Sequence, residues 1–164
     1  MERELRIYPD EILRAKCSEV SLPLSQEEKE LLDDMYKFVK DPTNEACGLA
    51  APQFGVSKRM FVARVKFLNE VFNVKMVNPV IMPVSGKKYF VPDGESCLSE
   101  PEEEKVLVPR YNEIILMGYD AITNKKTRLR LRGFTAAVVQ HELDHLNGIL
   151  LCDYKKGQNG QENE

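Results

Sequence analysis

The chain of 164 residues is poor in several things that would place it quickly. It has no excess of positive charge. Lys plus Arg number 23 against 26 Asp plus Glu, for a net charge of −3, which argues against a protein whose main task is gripping phosphate backbones or reading nucleic acid directly. It has no apolar run near the ~20 residues that span a bilayer. Its N-terminus, MERELRIYPD, lacks an apolar core and is too acidic for a transit peptide. A cytoplasmic protein with no membrane partner is the expectation. No two of Cys17, Cys47, Cys97 and Cys152 form a C-x-x-C pair, so a four-thiolate zinc module is unsupported. The simplest reading of Cys17, Cys47 and Cys152 is a reduced, buried small hydrophobe.

What the chain does have is an ordinary core-forming composition, with 43% hydrophobic and 30% charged residues, and a length typical of one domain. Ser25 to Val39 reads as a helix. Ser25 and Glu28 have capping-box spacing, and Leu31, Leu32, Met35, Phe38 and Val39 repeat along one face. Gly48 to Gly55 reads as a loop of restricted geometry. Strands are predicted at Met60–Val65, Val74–Val84 (bent or at an edge because of Pro79 and Pro83), Tyr89–Val91, Glu113–Tyr119 and Thr127–Arg132. In the last, Leu129 and Leu131 alternate with arginines, as in a strand with one wet face. A second helix is predicted from Thr135 to about Asn147, ended by Gly148. The sum is an α+β fold: short, mostly antiparallel strands packed around a central helix. Residues 1–154 are expected to form one catalytic domain, and 155–164 a disordered polar tail.

The only two histidines, His141 and His145, lie on that second helix, four residues apart and with Glu142 between them. Random placement of two histidines would yield this H-E-x-x-H pattern roughly once in a thousand such chains. Residues four apart share a helix face, so both imidazoles can hold one divalent metal. Glu142 is turned about 100° away and can reach a water on that metal as general base. Asp144 reads either as support for a histidine or as a solvated carboxylate. A catalytic metal needs a third protein ligand. With no third histidine and no convincing downstream carboxylate, the ligand should lie upstream. Cys97, in Gly94-Glu95-Ser96-Cys97-Leu98-Ser99, is the best candidate, with a packed thiol the competing reading.

Three segments together resemble the peptide deformylase family: Gly48-Leu49-Ala50-Ala51-Pro52-Gln53-Phe54-Gly55, Glu95-Ser96-Cys97-Leu98-Ser99 and Gln140-His141-Glu142-Leu143-Asp144-His145. Weaker likeness runs from Ile7-Tyr8-Pro9-Asp10 through Asn78-Pro79 and Val108-Pro109-Arg110 to Asp153-Tyr154. The resemblance implies hydrolysis of the N-formyl group from the formyl-methionine of new polypeptides, releasing formate. By that likeness Cys97, His141 and His145 hold the metal, typically Fe2+, with Zn2+ or Ni2+ as substitutes. A metal-bound water attacks the formyl carbon, with Glu142 as base and then acid. The Gln53 side chain and the Leu98 backbone N–H stabilise the oxyanion. Cys47, Gly48, Ala137 and Val138 contact substrate, and Glu95 and Arg110 form an ion pair. Partners implied are nascent formyl-methionyl chains and, transiently, the ribosome.

The chain departs from the family pattern in three places. Ser96 stands where the motif usually has glycine, which would bring strain if that position has positive φ. Ala46 replaces another frequent glycine. Glu100 stands where an apolar residue is usual, ahead of Pro101 and the acidic run Glu102-Glu103-Glu104, which reads as a solvated loop. An H-E-x-x-H endopeptidase and a non-catalytic peptide-binding homologue are the competing functions.

Overall fold

The computed structural model describes residues 2–155. The tail expected to be disordered, apart from Lys155, lies outside the described residues. The first helix, α1 (Gln26–Lys40), starts where the capping box places it. The Ser25 hydroxyl accepts from the Glu28 N–H at 3.1 Å and the Glu28 carboxylate accepts from the Ser25 N–H at 2.8 Å. Two strands follow, β1 (Gly48–Ala50) and β2 (Met60–Phe67), then a long β3 (Glu70–Pro83). A short pair, β4 (Lys88–Tyr89) and β5 (Arg110–Tyr111), flanks the loop that carries Cys97. Strands β6 (Glu113–Asp120) and β7 (Lys125–Arg132) form a hairpin, and α2 (Gly133–Leu146) closes the series.

The main sheet is five-stranded and antiparallel in the order β1-β2-β3-β6-β7. Alternation along the strands sorts their side chains to two faces. Phe61, Ala63, Val74 and Met76 join Ala136, Val139, Leu143 and Leu146 of α2 in one cluster. Met60, Val62 and Val77 point the other way and join Leu31, Leu32, Met35 and Val39 of α1. The sheet therefore lies between the two helices. Each of the buried Val, Leu, Met and Phe side chains in these clusters contributes about 1.5–3 kcal/mol.

Two local readings change on folding, and a third is narrowed to one of its alternatives. Gly48–Ala50, expected in a loop, pairs with Ala63 to Phe61 as the edge strand β1, and only Ala51–Phe54 forms a tight 3-10 turn. Strand β3 does bend, but it is central: its register shifts between Val77 and Val80, where Asn78 adopts φ 52°. The Asn78 side chain accepts the Val20 N–H and donates to the Val20 carbonyl, both at 2.8 Å, and so stabilises the bulge. Phe90 and Val91 lie outside β4. Gly148 ends α2 at φ 71°, and a Cβ there would collide with the Arg14 carbonyl.

Candidate metal centre

Helix α2 brings His141 and His145 to one side, with ring centroids 5.1 Å apart. Cys97 reaches them from the loop between β4 and β5, its Sγ 3.4 Å from His145 Nε2. One donor atom from each of Cys97, His141 and His145 lies within 4.8 Å of the others. Tetrahedral bonds of ~2.3 Å to sulfur and ~2.0 Å to nitrogen put donors about 3.5 Å apart, so this set fits a divalent ion with little adjustment. Burial and the neighbouring His141 drive the His145 pKa well below its ordinary value, which keeps this imidazole neutral and ready to ligate. Burial also acts to lower the His141 pKa, but hydrogen bonds with Cys97 and Glu95 and the Glu142 charge outweigh it and leave the group raised.

A layer of ion pairs supports this centre from behind. His141 Nδ1 lies 3.0 Å from Glu95 Oε1, which directs Nε2 toward the thiol side. Glu95 is gripped by Arg110 in a two-point contact of 3.0 and 2.8 Å, both residues being buried. Burial pushes the Glu95 carboxyl up in pKa, but His141 and Arg110 prevail and hold it below its ordinary value. Arg110 also donates to Asp144 at 2.6 Å, and the Tyr154 hydroxyl donates to the same Asp144 oxygen at 2.7 Å. Asp144 therefore does not simply face water; it anchors the arginine that anchors Glu95.

Glu142 is 2% exposed, and its Oε2 has no hydrogen-bond partner among the described residues. Burial raises its pKa to about 7. It lies against Gly48, where a Cβ would stand 2.9 Å from Glu142 Cγ and 3.0 Å from Oε2. Glycine here serves close approach rather than an unusual backbone angle. Gln53 is nearly as buried. Its Oε1 accepts the Ala50 N–H at 3.0 Å, so its amide group faces Ser99 Oγ at 3.0 Å and Cys97 Sγ at 3.9 Å.

These groups open onto a cleft of about 410 Å3. Cys47, Gly48, Ala137 and Val138 line it, as do Gln53, Cys97, Leu98, His141 and Glu142. All four cysteines are free thiols; Cys17 and Cys152 are buried, while Cys47 is half-buried at the cleft wall. Ser96 lines the cleft too and is not among the residues with positive φ, so its replacement of glycine brings no backbone strain. Sequence reasoning assigned no role to Ser99, Phe134 or Val91. The first orients Gln53 and the other two widen the apolar wall. An apolar residue one helical turn before Val138 was the available signal for Phe134; for the Ser99 contact there was none. Glu102 and Glu104 are exposed as expected of the acidic run, but Glu100 is 3% exposed.

The family model for polypeptide deformylase matches residues 2–160. A peptide deformylase of Macrococcus caseolyticus is 39% identical over 156 residues, covering 87% of this chain and 83% of that one. Peptide deformylase 2 of Bacillus cereus is 38% identical over 161 residues, covering 92% and 87%. Among solved structures, a probable peptide deformylase from synechococcus phage S-SSM7 superposes with a TM-score of 0.81 at 34% identity, over 93% of this chain and 99% of that one. The Met-Ala-Ser-bound class I type b peptide deformylase of Acinetobacter baumannii does so with a TM-score of 0.82 at 28% identity, over 94% and 98%.

Proposed function

Since the chain belongs to the polypeptide deformylase family and is a hydrolase that removes the N-formyl group of nascent polypeptides, we propose that Cys97, His141, His145 and Glu142 carry out this reaction on formyl-methionyl chain ends. The observation that carries the residue assignment is the buried Glu142 carboxylate, its Oε2 without a partner among the described residues, beside the Cys97–His141–His145 cluster on a cleft wall. Cys97, His141 and His145 would hold a divalent ion, Fe2+ natively with Zn2+ or Ni2+ able to replace it, which supplies Lewis acidity to a water and to the formyl oxygen.

Glu142 takes a proton from the attacking water. A pKa near 7 suits a group that must accept a proton and then release it at neutral pH. The water oxygen bonds to the formyl carbon, the carbon–nitrogen bond breaks, and Glu142 returns the proton to the leaving amine, giving formate and a free α-amino group. Gln53 Nε2, held by the Ala50 and Ser99 contacts, donates to the developing oxyanion together with the Leu98 N–H. Cys47, Ala137 and Val138 wall the methionine side chain, and Gly48 offers backbone to the peptide. The tripeptide Met-Ala-Ser bound by the Acinetobacter baumannii enzyme supports a formyl-Met-Ala-Ser substrate. We place this chemistry in the cytoplasm, transiently at the ribosome, within one catalytic domain of residues 1–154. Among the described residues no helix is long and apolar enough to cross a membrane.

The test is formate release from formyl-Met-Ala-Ser by anaerobically prepared, iron-loaded protein. Glu142→Ala should lower turnover by about 10^2–10^4-fold while metal content stays the same, and Cys97→Ala should lose the metal. Metal-loaded wild-type protein that binds the peptide but releases no formate would refute the assignment.

A further inference from the structure

We propose that Glu100 is a positioning residue for the metal centre, its buried carboxylate fastening the turn that carries Cys97 to the start of the C-terminal helical segment. The proposal rests on Cys97 being a ligand. Glu100 follows Cys97 by three residues and its N–H donates to the Cys97 carbonyl at 3.0 Å, so both belong to one turn. The side chain turns inward and is 3% exposed. One carboxylate oxygen accepts the Leu151 N–H at 2.9 Å and the other the Cys152 N–H at 3.1 Å. Residues 151–155 are helical, so these are first-turn N–H groups that lack an acceptor within the helix and favour a negative charge. Leu151 in turn packs with Val106, Val108 and Cys97. Glu100 lines the same small crevice as His141 and His145, so this tie lies near both histidines.

The rest of the turn is held by different partners. The Ser99 carbonyl accepts the Tyr8 N–H at 2.8 Å, and Ser99 Oγ accepts from Gln53. Neither contact reaches the C-terminal segment. An apolar side chain at this position could fill the space but could not receive two N–H groups. In this chain, the departure at Glu100 thus couples the geometry of the thiol to residues some 50 positions away.

The experiment uses the full chain loaded with Co2+ and reads two quantities: the thiolate-to-cobalt charge-transfer absorption and the Co2+ dissociation constant. Glu100→Gln keeps the shape but can accept only one of the two N–H groups. It should weaken or shift the absorption and raise the dissociation constant about tenfold or more, the range expected for residues that orient ligands. Lys155→Ala removes an exposed link between the same two segments, the ion pair with Glu103 at 3.3 Å, and should change neither quantity. If Glu100→Gln does not fold, Glu100→Asp, which withdraws the carboxylate by one methylene, is read the same way. A folded Glu100 variant with wild-type absorption and affinity overturns the proposal, whatever its melting temperature. Wild-type protein that binds Co2+ without any thiolate band overturns it at its premise, since Cys97 is then not a ligand.

Discussion

Helices α1 and α2 are nearly equal in length and cover opposite faces of one sheet, yet they follow different rules. Helix α1 has a complete capping box, and its deeply buried apolar residues form a single stripe. Helix α2 has no side-chain cap at its start and buries Gln140, Glu142 and His145 along with its apolar residues. Gln140 is satisfied by both backbone groups of Tyr111 and by the Ala136 carbonyl. Glu142 and His145 each keep an atom without a partner among the described residues. The contrast sets a helix whose buried face is almost wholly apolar against one that buries the candidate catalytic groups, an arrangement expected to lower stability.

The comparison breaks first, if it breaks, at the support behind α2. Replacing Arg110 by Met leaves Glu95 and Asp144 without their buried cation and should lower unfolding free energy by about 3–5 kcal/mol. Urea denaturation measures this, and a loss no larger than that of a surface ion pair would show that the layer behind the histidines carries little.

Next comes Glu142 itself, in chelator-treated protein. Its carboxyl is raised from an ordinary value near 4.5 to about 7 in the folded chain, so the folded state holds the proton more tightly than the unfolded state. Below pH 4.5 the group contributes nothing. As pH rises from about 4.5 to about 7, stability should fall by about 3 kcal/mol in total and then level off. Glu142→Gln should lack this slope and be the more stable protein at pH 8. Parallel stability–pH curves for the two would mean that the buried carboxylate is not a source of strain.

The smallest effect belongs to α1. Ser25→Ala removes half of its capping box and should lower stability by about 1 kcal/mol while formate release stays as in the wild type. Equal losses of activity and stability would erase the distinction between the two helices.

Much of this was legible before folding, for reasons that differ by residue. The capping box is a three-residue spacing, and the H-E-x-x-H face follows from 3.6 residues per turn; both are local. Cys97 could be offered as candidate third ligand only by exclusion and by family likeness, because nothing in its neighbourhood says that its loop reaches α2. Pro79 and Pro83 left β3 either bent or at an edge, and only the strand order decided for a bent central strand, in which the bulge at Asn78 absorbs the break. The burial of Glu100 was not legible, because it depends on two N–H groups about 50 residues away.

The sequence by itself determined the helices, most of the strands, and the pairing of two imidazoles with a carboxylate, since each is set by periodicity within a few residues. Only the tertiary structure decided that Gly48 presses on Glu142, that Gln53 is turned by Ala50 and Ser99, that Asp144 serves Arg110, and that Glu100 holds the C-terminal segment. These relations depend on which strands become neighbours and which loops are brought over α2. Strand order is settled by burying two apolar faces at once, a condition on the whole chain rather than on any stretch of it.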